Sequence, residues 1–103
     1  MSVYRFPAIA NPPDCVKKQL DKIGEELAEV REAYERMIRA KRSHGEDSEE
    51  YKEARMQYGI EHLDVIQSDE TALRMEFAED EVEEFRAKVI EKNANRSYYR
   101  SAD

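Results

Sequence analysis

All three prolines of this 103-residue chain fall within its first thirteen residues, and from Ile60 to Asp103 there is neither proline nor glycine. Strands and hairpins are usually bounded by turns carrying those residues, so a stretch this long without them favours continuous helix. The length suits one domain. Charged residues make up 40% of the chain, above the roughly one quarter of an average domain. Such a composition can signal disorder, but the apolar residues here recur periodically, which argues for a folded, amphipathic chain. The expected fold class is all-α: a three-helix protomer with an extended N-terminal arm, assembling into helical bundles as an oligomer.

Residues 1–13 read as the arm, because Pro7, Pro12 and Pro13 keep the backbone out of a helix interior. Either Asn11 or Asp14 could cap the first helix. From there Val16, Leu20, Ile23, Leu27, Val30, Tyr34 and Met37 recur in steps of four and three, an amphipathic seam of about six turns. It is expected to end near Arg42, before Ser43-His44-Gly45. Ser48 is a suitable cap for a second helix, running to about Arg74. Ile60, Leu63 and Ile66 cover one side of that helix and Tyr58, Val65 and Ala72 another, the pattern of a helix packed between partners. A third helix, marked by Val82, Phe85, Val89 and Ile90, follows a bend between Ala72 and Asp80. The helical domain spans 14–93, and 94–103 is a polar and aromatic tail. Three such helices give a thin core, so a second copy is the expected route to a closed four-helix arrangement.

The formal charge of −7 argues against a nucleic-acid-binding role, which needs clustered Lys and Arg. An acidic protein handling phosphates would need a cation between the two. The single Cys15 cannot form an internal disulfide, and neither a signal peptide nor a run of about twenty apolar residues is visible, so a cytoplasmic location is expected and a membrane partner is not.

Two acidic pairs stand out, Glu26 with Glu29 and Glu61 with Asp64. A spacing of three places both carboxylates of a pair on one helical face. Four converging carboxylates are unfavourable unless a cation, protons or water relieve them, and an oxygen-only set suits Mg²⁺ or Mn²⁺. With 24 acids in the chain, an i, i+3 pair also arises readily on a solvated face. Glu61 and Asp64 carry more weight, since they project between the apolar flanks of their helix.

Glu25-Glu26-Leu27-Ala28-Glu29, followed by Glu61-His62-Leu63-Asp64, resembles the paired motif of the MazG-like all-α nucleoside triphosphate pyrophosphohydrolases. Lys92-Asn93-Ala94-Asn95-Arg96-Ser97-Tyr98-Tyr99 is similar to the tail of short phage and bacterial members. The resemblance runs from Asp14 to Tyr99. Two departures are a longer stretch between Glu29 and Glu61 and Ser97 where glycine is common. The resemblance implies Mg²⁺ on Glu26, Glu29, Glu61 and Asp64, with Mn²⁺ as a substitute. It implies a water, oriented by one of these carboxylates or by Glu25, attacking the α-phosphorus to give a nucleoside monophosphate and pyrophosphate. The catalytic candidates are thus Glu25, Glu26 and Glu29. Lys92 and Arg96, with Lys22 one turn before Glu26, are candidates for phosphate; Asn93 for phosphate or base; Tyr98 or Tyr99 for stacking, or for docking the tail on a neighbouring subunit. The expected partners are a nucleoside triphosphate and one or three further copies of the chain. Two other readings are a catalytically weak nucleotide-binding sensor and a purely structural helical oligomer.

Overall fold

The computed structural model describes residues 2–100; Met1 and the last three residues of the tail lie outside the described residues. The chain forms α1 (Val16–His44), α2 (Glu49–Glu76) and α3 (Glu79–Asn95), with no strand among the described residues. The protein is all-α.

The N-cap of α1 is neither Asn11 nor Asp14 but Cys15, whose extended backbone (φ −149°, ψ 153°) makes no side-chain capping bond. Asp14 is engaged elsewhere, at 2.8 Å from the Lys18 ammonium. At the other end Lys41, Arg42 and His44 complement the helix dipole, and Gly45 stops the helix at φ 87°, its N–H donating to the Lys41 carbonyl. Ser48 begins α2: its Oγ accepts the Tyr51 N–H at 3.1 Å and donates to the Gly45 carbonyl at 2.7 Å, fixing a short antiparallel connection. The bend falls at Phe77-Ala78, without glycine or proline. Glu81 folds back to accept the Ala78 N–H at 3.0 Å, and the Phe77 and Phe85 rings meet edge to face at 5.1 Å across the bend.

Helix packing is concentrated between α1 and α2. Gln19 and Ala33 are buried on α1, and Ser68, Glu70 and Thr71 on α2. The fully buried apolar side chains among the described residues are Ala33 and Val82, a very thin core. The radius of gyration is 17.4 Å, where a compact chain of this length has about 13 Å. The seam of α1 is accordingly split. Leu20, Leu27 and Tyr34 are about half exposed, while Val16, Ile23, Val30 and Met37 are half-buried. On α2 the side bearing Tyr58, Val65 and Ala72 is partly covered; Met56, Ile60 and Leu63 on the other side are exposed.

Residues 2–7 bond to α2 and to the start of α3. Both oxygens of the buried Glu70 are used, accepting the Arg5 N–H at 2.8 Å and the Phe6 N–H at 3.0 Å. Arg74 donates to the Phe6 carbonyl at 2.9 Å and places its guanidinium 4.0 Å over the Tyr4 ring. Gln67 donates to the Pro7 carbonyl at 3.0 Å, and Glu79 accepts from Ser2 and Val3.

Candidate metal and phosphate site

The acidic pairs sit on facing stretches of α1 and α2 because the hairpin is antiparallel and each pair spans one helical turn. Lys22, Glu25, Glu26, Glu29 and Asp64 line one open depression of about 440 Å³. Ile9, Gln67 and Ser68 complete the lining. Glu26 is half-buried and Glu25, Glu29 and Asp64 are exposed. The Ser68 hydroxyl donates to Oε1 of Glu26 at 2.5 Å, and the Ser68 carbonyl accepts from the buried Gln19 side chain at 3.0 Å. One residue of α2 thus locks two positions of α1.

Glu61 sits one turn before Asp64 on α2 and does not line the depression. Its Oε2 is buried without a hydrogen-bond partner. Burial foremost, then the negative charges of Glu29 and Asp64, push its carboxyl above the ordinary value of 4.5; Arg36 opposes this. An orphaned carboxylate oxygen pressed on by two further acids is a group short of a positive partner.

Among the described residues, no three Asp, Glu, His or Cys side chains are drawn together tightly enough to hold a metal ion. Mutual repulsion is a sufficient reason for four carboxylates to stand apart without a cation. The donor chemistry fits a hard divalent ion, being oxygen throughout, and the lone Glu61 oxygen fits one as well.

Lys92, Asn93, Arg96 and Tyr98 do not line this depression. Lys92 and Asn93 lie on α3, where packing against α1 and α2 is slight. Arg96 follows at the C-cap with its guanidinium 5.9 Å from the Tyr98 ring centroid. Ser97 has φ 59°, the left-handed conformation that glycine adopts freely. His62 is exposed and meets the Tyr58 ring edge-on at 4.5 Å, away from any ligand role.

Sequence reasoning missed Gln19, Gln67, Ser68 and Ile9. Ser68 had a readable signal: it lies four residues after Asp64, on the face already carrying the acids. Ile9 had none, since its place depends on where the N-terminal segment docks. No protein-family model, no curated protein and no solved structure matches this chain. No helix among the described residues is long and apolar enough to cross a membrane.

Proposed function

We propose that the chain is a Mg²⁺-dependent nucleotide pyrophosphohydrolase of the MazG-like type, cleaving a nucleoside triphosphate to the monophosphate and pyrophosphate. The observation that carries this reading is that Glu26, Glu29 and Asp64 line one depression between α1 and α2, while Glu61, with a buried, unpartnered oxygen, feels the charges of Glu29 and Asp64. Glu26, Glu29, Glu61 and Asp64 would hold the ion, with Mn²⁺ as a substitute. When bound, it supplies positive charge to offset the triphosphate and polarise the reacting phosphoryl group.

The chain's own groups do the rest. Ser68 fixes the Glu26 carboxylate from the opposite helix. Glu25, exposed in the same depression, accepts the proton of the water that attacks the α-phosphorus; the bond to the bridging oxygen breaks and pyrophosphate leaves. Lys22, in the same lining, offers its ammonium to the phosphates.

The reading includes a homo-oligomer, a dimer or tetramer with the N-terminal segment as an extended arm. Its support is the open shape of the protomer and the exposed rows Leu20, Leu27, Tyr34 and Met56, Ile60, Leu63. Lys92, Asn93, Arg96 and Tyr98, not seated at their own chain's depression, are then candidates for a neighbour's. Those same exposed rows favour a second reading, a purely structural oligomer.

Calorimetric titration of chelator-stripped protein with Mg²⁺ and Mn²⁺, then with a non-hydrolysable nucleotide analogue, separates the two. Metal binding followed by metal-dependent analogue binding is expected. No metal binding even with nucleotide present leaves the structural oligomer.

A further inference from the structure

The wall of the acidic depression contains a single apolar side chain, Ile9. It comes from neither helix but from the N-terminal segment, and that segment is tied down immediately before it. Glu70 holds the Arg5 and Phe6 amides, Arg74 holds the Phe6 carbonyl, and Gln67 donates to the Pro7 carbonyl. Gln67 lines the depression too, so one side chain links the segment to the wall. Pro7 and the Pro12-Pro13 pair restrict the backbone on either side of Ile9. The result is an isoleucine lining a polar concavity and still 45% exposed. The polar ties end two residues before Ile9, which lines the same depression as Lys22 and the acids.

We infer that Ile9 is a substrate-binding residue that lays an apolar wall for the base of the nucleotide, while the carboxylates and Lys22 take the phosphates. This rests on the pyrophosphohydrolase reading and adds to it the end of the site that binds the base. A nucleobase is the part of a nucleoside triphosphate with an apolar face, and a branched aliphatic side chain covers such a face without choosing among bases by hydrogen bonds. Glu70 and Gln67 act through Ile9 as positioning residues. Inorganic tripolyphosphate, which has no base, should be indifferent to the wall.

The test uses the full chain with Mg²⁺ and compares steady-state hydrolysis of a nucleoside triphosphate with binding of inorganic tripolyphosphate. Ile9→Ser should raise KM for the nucleotide roughly tenfold with kcat within about twofold, and leave tripolyphosphate binding within about twofold. Ile9→Val, which keeps a branched aliphatic face, should raise KM less than Ile9→Ser does. Glu70→Gln should reproduce the KM rise, and the double variant should be no worse than either single one, because both act on the same contact. Ile9→Ser is a surface change and keeps the test valid if Glu70→Gln melts early. An unchanged KM in Ile9→Ser overturns the wall, and so does an equal loss of tripolyphosphate binding. A wild type that hydrolyses no nucleotide and binds neither compound overturns the pyrophosphohydrolase reading itself, and the wall with it.

Discussion

Ser68 of α2 holds Glu26 of α1 by a 2.5 Å hydrogen bond from hydroxyl to carboxylate, across the interface that carries the candidate site. A hydrogen bond to a charged acceptor is stronger than a neutral one, and this one also restricts the Glu26 rotamer. Ser68→Ala should cost about 1.5 kcal/mol in urea unfolding and weaken Mg²⁺ binding several-fold, since Glu26 must then be ordered by the ion. Unchanged Mg²⁺ affinity would mean that Glu26 is no ligand.

The helices were legible because local chemistry sets them. Ser48 offered a cap, Gly45 a stop, and the seam from Val16 to Met37 a period, and α1 ends and α2 begins at those marks. Cys15 was not legible as the N-cap of α1, because its side chain makes no capping bond and leaves no residue-type signal. The acidic pairs could be read from spacing alone. Glu70 could not, being one acid among 24 whose partners are backbone amides 64 and 65 residues away. Its burial depends on where the N-terminal segment folds back, which no periodicity records.

Glu70 supplies the next prediction. Its two oxygens accept successive backbone amides while the residue is 8% exposed. Removing the carboxylate leaves two amides without partners and frees the segment. Glu70→Ala should lose about 2–3 kcal/mol of stability. Tryptic cleavage after Arg5 should accelerate several-fold over cleavage elsewhere, read by mass spectrometry. Uniform acceleration at all sites would instead report global unfolding.

The pH dependence of stability should carry two opposed contributions. Glu61 has its carboxyl raised by burial and by Glu29 and Asp64. Between 4.5 and that raised value the folded chain holds more protons than the unfolded one, so stability falls as pH rises through the window. Glu79 is lowered, first by the Val3 N–H and then by the Ser2 hydroxyl. Its contribution is present above 4.5 and is lost as pH falls through the lowered value. Urea midpoints of metal-free protein across about pH 3 to 8 should show Glu61→Gln flattening the first slope and Glu79→Gln the second. Glu61→Gln should also be the more stable protein near neutral pH without metal, and should lose Mg²⁺ binding.

Gly45 ends α1 at φ 87° and ψ 163°, a region open essentially to glycine alone. No atom would obstruct an added Cβ, so the penalty for alanine is purely backbone strain. Gly45→Ala should lower stability by about 1–2 kcal/mol and leave Mg²⁺ affinity unchanged, because the loop lies outside the depression. A parallel loss of metal binding would show that the loop sets how α1 and α2 face each other.

Leu27 links assembly to chemistry. It lies between Glu26 and Glu29 in sequence, is 53% exposed, and borders a second surface hollow with Val30, Tyr34 and Tyr58. The Tyr34 and Tyr58 rings, 5.5 Å apart, bridge α1 and α2 there. If a second copy covers this surface, the turn bearing two of the proposed ligands is also an interface turn. Leu27→Glu would then place an unpaired charge in an apolar contact, shifting self-association by about 3 kcal/mol, roughly a hundredfold or more in dissociation constant. Sedimentation velocity should show the wild type well above the mass of one chain and the variant approaching it as concentration falls. Nucleotide hydrolysis should fall in step with the assembled fraction and recover at high protein concentration. Activity lost without any change in sedimentation would place Leu27 beside the carboxylates only. Sedimentation changed with activity retained would make the site complete within one chain.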